Sequence, residues 1–145
     1  MTTPEDRNIA LLKPLYDIWN GTKGARFDQF LDIVADDVRW QSLPRGGAGM
    51  EFTRCCATKD EVVAYFNGLA RDWEMLSYDV HEYIAQGDRV VALSRCAFRH
   101  RLTGRTVETD KADVVRIRDG KIVQFFEFFD TAAAEAAEAA GRAAA

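Results

Sequence analysis

In the first half of the chain, apolar residues recur at helical spacing. Leu12, Leu15, Tyr16 and Trp19 form such a stripe and predict an amphipathic helix over residues 3–20. Thr3 is placed to cap it, Pro4 suits the first helical position, and Glu5 and Asp6 face the positive end of its dipole. Pro14 lacks a backbone N–H, so a kink or a restart is expected near Tyr16. Phe27, Phe30, Leu31 and Val34 predict a second helix over residues 25–35. Thr58-Lys59-Asp60-Glu61 has the capping-box pattern and opens a third, over residues 58–73, with Val62, Phe66, Leu69, Ala70 and Trp73 on its apolar side.

Alternation then takes over. Val38, Trp40 and Ser42 share one face of a short strand over residues 38–42, after a turn at Asp36-Asp37. In residues 77–85, Tyr78, Val80, Glu82 and Ile84 alternate with Asp79, His81, Tyr83 and Ala85. Turns at Gln86-Gly87-Asp88 and Thr103-Gly104 bound a strand over residues 89–101. Residues 111–117 and 121–129 form a last hairpin around Asp119-Gly120. A two-residue turn would pair Arg118 with Lys121 and separate Asp113 from Glu127. A turn closed by Gly120 as a bulge puts Lys111, Asp113, Val115, Val123, Phe125, Glu127 and Phe129 on one face, and this register is preferred because it separates polar from apolar residues better.

Between these blocks, residues 43–57 carry Pro44 and Gly46-Gly47-Ala48-Gly49. The glycines lack the strand–helix context of a phosphate-binding fingerprint and are read as a mobile loop over a pocket mouth. The alanine-rich residues 133–145 are helix-prone but show no strong apolar face, so they read as a fraying tail behind a single domain of residues 1–132. Three helices packed on one face of a strongly curved, mainly antiparallel sheet make an α+β domain with a concave pocket at its wide end.

Composition narrows the function. A net charge of −4 without a Lys/Arg stripe argues against nucleic acid. No apolar run has membrane-spanning length and the first residues lack a signal-peptide pattern, so a cytoplasmic protein is expected. Three cysteines, two of them adjacent, make no disulfide framework, and no Cys or His spacing suits a metal.

Candidate chemistry lies in the last hairpin. Glu127 stands among Phe125, Phe126, Phe128 and Phe129, where a bare charge is costly. It is either an acid/base group made useful by burial or the partner of Arg95 or Lys111. Asp113 is either a neutral donor beside Tyr16 or another ion-pair partner. Arg95 reads first as ion-pair material. Trp19, Trp40, Phe66 and Phe125 read first as core and then as pocket wall.

The order of elements, Ala35-Asp36-Asp37 entering the first strand, and Asp119-Gly120-Lys121-Ile122-Val123 before an aromatic strand ending at Asp130 resemble the nuclear transport factor 2-like (NTF2-like) cone fold. The likeness is to its SnoaL-like polyketide cyclases, ketosteroid isomerases and limonene epoxide hydrolases. Against the isomerases, Tyr16 and Asp113 match the two oxyanion donors, the second kept protonated by an apolar site. Ser42 stands near the place of their base. Against the cyclases, Glu127 takes the place of the catalytic Asp. Against the epoxide hydrolases, Trp40-Gln41-Ser42, Arg95 and Glu127 match, while Ala97 replaces a required Asp. The resemblance implies catalytic Glu127, Asp113 and Tyr16. It also implies a ligand-binding set of Trp19, Trp40, Ser42, Phe66, Arg95, Phe125 and Phe129. The implied function is a cofactor-independent isomerase or cyclase acting on a small apolar carbonyl compound. The implied assembly is a homodimer through the open face of the sheet. A non-catalytic binding protein or dimeric scaffold of the same fold is the alternative.

Overall fold

The computed structural model describes residues 2–47 and 49–144; Ala48 of the glycine-bearing loop lies outside the described residues. Helix α1 (Pro4–Gly21) is capped by Thr3, whose hydroxyl accepts from the Asp6 N–H, while the Asp6 carboxylate answers to the Thr3 N–H. Leu12, Tyr16 and Trp19 are its buried residues. Pro14 does not interrupt it, contrary to the expected restart: the helix is continuous through this position.

The second helix is a single turn, α2 (Asp28–Leu31), rather than residues 25–35. Strand β1 (Val34–Ser42) begins there instead and absorbs Ala35-Asp36-Asp37, because Val34 and Val38 are both needed in the core. Helix α3 (Lys59–Asp72) starts at the Thr58 cap as the capping box predicts. It buries Val62, Tyr65, Phe66 and Gly68, while Ala70 is exposed. At Gly68 the backbone meets Phe52 so closely that a Cβ would lie 2.3 Å from the Phe52 Cβ. Only glycine lets the loop pack there.

Strands β2 (Trp73–Gln86), β3 (Arg89–His100), β4 (Thr106–Arg118) and β5 (Lys121–Phe128) complete a five-stranded sheet of order β1-β5-β4-β3-β2. It is antiparallel except for β1, which runs parallel to β5. Bulges at Met75/Ser77 and Val80/Glu82 break the simple alternation expected of β2, so Tyr83 and Ala85 join Tyr78 and Val80 against the core.

The last hairpin corrects the expected turn and keeps its consequence. Asp119 and Gly120 both have positive φ, 52° and 73°, and Arg118 pairs with Lys121 across a two-residue turn. The bulge lies further along, at Val123, so Ile122 rather than Val123 faces inward. That one extra residue still brings Asp113 opposite Glu127.

Among the described residues four α-helices pack on this sheet, which is not closed. The main core fills the space under α1, α2 and α3, with Trp40 stacked on Phe125 at 3.9 Å between ring centroids. A second cluster joins Met50, Trp73 and Val107 to Ala134 and Ala137 of helix α4 (Thr131–Ala144). The C-terminal alanines therefore do present an apolar face, made of methyl groups. No helix among the described residues is long and apolar enough to cross a membrane.

Candidate functional site

Strand alternation on β4 turns Lys111, Asp113 and Val115 toward the helices, and the bulged β5 brings Phe125 and Glu127 in beside them. Asp113 and Glu127 are nearly sealed from solvent, at 1% and 4% exposure. Lys111 lies between them, its ammonium 2.6 Å from Asp113 Oδ1 and 2.8 Å from Glu127 Oε2. Its remaining close contact is to the Tyr78 hydroxyl, at 2.7 Å.

Helices α1 and α3 and strands β1 and β2 bring the rest of the shell. Tyr16 and Tyr78 each donate to Asp113 Oδ2 at 2.7 Å. Tyr65 donates to Glu127 Oε1 at 2.7 Å, and the Ser42 hydroxyl donates to the same oxygen. Removing a charge from water costs several kcal/mol unless its partners are in place; here each carboxylate collects three.

Electrostatics follow from this packing. Burial, reinforced by Asp113, holds the Tyr16 and Tyr78 phenols well above their ordinary pKa, and burial with Glu127 does the same for Tyr65. Burial works to lower the Lys111 ammonium, but Asp113 and then Glu127 outweigh it and raise it well above the usual lysine range. Lys111 is thus a fixed cation and no amine nucleophile. The Cys96 thiol nearby is pushed up to about 11 by burial.

Beside the cluster lies an apolar cavity of about 70 Å³. Lys111 and Glu127, with the phenols of Tyr65 and Tyr78, form its polar end. Trp19, Trp73, Phe98, Val107 and Phe129 wall it, Met50 and Phe52 reach in from the glycine-bearing loop, and Ala134 of α4 lies at its edge. A smaller void of about 30 Å³, bounded by Tyr16, Phe30, Trp40, Phe66, Asp113 and Phe125, lies on the other side of the same ion pair.

The sequence-derived candidates divide accordingly. Glu127, Trp19 and Phe129 reach the larger cavity; Tyr16, Asp113, Trp40, Phe66 and Phe125 line only the smaller void; Ser42 orients Glu127 from behind. Arg95 is on the opposite face of the sheet, paired with Asp110 and Glu108 in the open, and does not contact either carboxylate. Of the two readings of Asp113, its contacts are those of an ion-pair partner: it accepts from Tyr16, Tyr78 and Lys111.

Lys111 as the hub and Tyr65 and Tyr78 as donors were not singled out from sequence as site residues. The shared face of Lys111 and Asp113 was visible in the alternation, and Tyr65 falls between Val62 and Leu69 at core spacing on α3. A lysine on an inward strand face needs a carboxylate partner, and a tyrosine at core spacing needs an acceptor for its hydroxyl.

The architecture has many solved counterparts. An NTF2-like protein of unknown function from Burkholderia pseudomallei K96243 superposes with a TM-score of 0.78 at 25% identity, over 90% of this chain and 95% of that one. An NTF2-like protein from Burkholderia thailandensis E264 gives 0.74 at 25% identity, over 95% and 98%. A protein from Jannaschia sp. CCS1, described as a SnoaL-like polyketide cyclase, gives 0.73 at 17% identity, over 94% of each. No curated protein matches the sequence. The model of the SnoaL-like domain matches residues 13–125, more than half of the chain and all five strands up to Phe125. With this match and an open NTF2-like sheet under its helices, the chain belongs to the SnoaL-like domain family.

Proposed function

We propose that the chain binds a small, largely apolar molecule against the Lys111–Glu127 pair and moves a proton on it without a cofactor, as an isomerase or cyclase of a carbonyl compound. The observation that carries this reading is the meeting of a buried acid and a buried fixed cation at the polar end of an apolar cavity. Glu127 takes the proton next to the carbonyl. Once protonated it holds Lys111 less tightly, and that ammonium is freed to face the developing enolate. Stabilisation that grows as the charge forms is the kind that lowers a barrier.

Tyr16 and Asp113 act one layer back, keeping Lys111 charged and in place. At about 70 Å³ the cavity is well below the ~300–1,000 Å³ of typical ligand sites, so a substrate enters by displacing Met50, Phe52 or α4.

Glu127→Gln tests this. Deuterium exchange next to the carbonyl of a turned-over ligand is expected to fall by about 100-fold or more, while binding weakens by no more than about ten-fold. Unchanged exchange would reject Glu127 as the base. The small cavity and the fully paired carboxylates favour a second reading, a ligand-holding or scaffold protein without chemistry. Mass spectrometry of a molecule retained through purification, followed by a turnover assay on it, separates the two.

The outer face of the sheet supports a homodimer. Cross-strand pairing lines up Arg89, Arg116, Gln124 and Arg39 in one row, Val91, Val114 and Phe126 in the next, Leu93, Ala112 and Phe128 after that, and then Arg95 with Asp79 and Asp110. An apolar band between a basic row and an acid-bearing row is self-complementary when two copies pack face to face about a two-fold axis that sets each basic row against the partner's acid-bearing row. Phe128, 43% exposed, sits in that band. Phe128→Lys is expected to convert the dimer to monomer in light scattering; a variant that keeps the wild-type mass excludes this face.

A further inference from the structure

The hydrogen-bond inventory of the cluster says which kind of ligand group it can meet. Lys111 has three N–H protons, and they go to Asp113, Glu127 and the Tyr78 hydroxyl. The hydroxyl protons of Tyr16 and Tyr78 go to Asp113, and those of Tyr65 and Ser42 go to Glu127. Thr109, also on the cavity wall, donates to the Asp110 carbonyl. Every proton at the polar end is therefore committed inside the protein.

Lone pairs are not all used. Glu127 Oε1 accepts from both Tyr65 and Ser42, but Oε2 takes only Lys111. The Tyr65 hydroxyl donates to Glu127 and, among the described residues, accepts no hydrogen bond. A resting carbonyl or a carboxylate laid here would meet acceptors of its own kind, and burying such a contact is costly. Away from this end, the lining side chains among the described residues that carry an N–H or S–H at all are Trp19, Trp73 and Cys96.

We infer that the ligand group seated against Lys111 and Glu127 is a hydrogen-bond donor, a hydroxyl (enol or phenol) or an amine N–H, which gives its proton to the Glu127 carboxylate. This rests on the proposed function's placement of the ligand, and it deepens that reading: Glu127 takes the proton from beside the carbonyl, passes it to the enolate oxygen, and, ionised again, holds the enol so formed by accepting its O–H. It also separates this site from one built to greet a carbonyl oxygen with free donors.

Titration calorimetry with phenol, anisole, benzaldehyde, benzoate and benzylamine tests the assignment, since these small rings differ chiefly in the polar group. Phenol is expected to bind about ten-fold more tightly than anisole or benzaldehyde, with benzoate weakest. Benzylamine ahead of phenol supports the inference equally and identifies the donor as an amine. Benzaldehyde or benzoate binding as tightly as phenol overturns the inference while leaving the cavity as a ligand site. Absence of binding by all five overturns the placement itself. In Glu127→Gln, whose amide supplies N–H protons, the phenol-to-anisole ratio is expected to fall to about one; an unchanged ratio assigns the acceptor elsewhere and overturns the role given to Glu127.

Discussion

Lys111→Met is expected to be the most damaging single substitution in this protein. It leaves Asp113 and Glu127 facing each other across neighbouring strands with no cation between them, both nearly sealed from water. Stripping one partner from a buried pair costs about 3–5 kcal/mol, because the charge left behind has nowhere to be solvated. Domains of this size have about 5–15 kcal/mol in total, so the loss is a large share. A drop in Tm of roughly 10–15 °C follows for a chain of 145 residues. The comparison that isolates the cause is Lys111→Met combined with Asp113→Asn and Glu127→Gln. The amides still accept from the tyrosines and bring no charge, so most of the lost stability is expected to return. Arg95→Met serves as the contrast: its pairs with Asp110 and Glu108 are exposed, and losing them is expected to cost under about 1 kcal/mol. Denaturant midpoints for the three proteins decide the matter. A Lys111→Met midpoint equal to that of Arg95→Met would mean that the cluster is not the charged unit described.

Alkaline unfolding is the second large effect. Tyr16, Tyr65, Tyr78 and Lys111 all hold their protons more tightly in the fold than their ordinary values of 10.0 and 10.5. Below pH 10 the folded and unfolded chains both carry these protons, so the stability is fully present there. Above it the unfolded chain releases them and the folded chain does not, so stability drains away as pH rises. Each group approaches a slope of about 1.4 kcal/mol per pH unit, and together they unfold the protein within one or two units above pH 10. The half-buried Tyr83, pushed up to about 12, does not ionise earlier. Tyrosinate absorbance near 295 nm should therefore appear in step with the loss of far-ultraviolet ellipticity. Tyrosinate formation well before unfolding would show that the phenols are accessible after all.

What the sequence disclosed follows from which forces are local. Thr3 and Thr58 announced their helices because a cap acts within three residues, and the α+β layering followed from a change of period. The face shared by Lys111, Asp113, Phe125 and Glu127 was legible because alternation propagates along a strand. The route was not: the preferred turn at Gly120 is replaced by a tight turn at Asp119-Gly120 and a bulge at Val123, and only tertiary burial of Ile122 and Phe125 selects that solution. The short second helix has the same origin, since the demand for Val34 in the core overrode the helical spacing around it. Arg95 matches its first reading as ion-pair material; it entered the ligand set only through the resemblance, while the regular alternation of Val90, Ala92, Ser94 and Cys96 inward on β3 leaves it on the outer face. Lys111 was seen only as an ion-pair candidate, since its importance depends on Tyr78 and Glu127 arriving from distant parts of the chain.

The alanine edge of the cavity has a consequence for adaptation. A single methyl group at that edge adds little grip of its own, and the size of the side chain there changes the room beside it. Exchanging Ala134 for a larger residue would plug the hollow, whereas glycine would deepen it, and neither change touches Lys111, Asp113 or Glu127. Ligand size can thus be retuned from the C-terminal helix while the proton-handling end stays as it is.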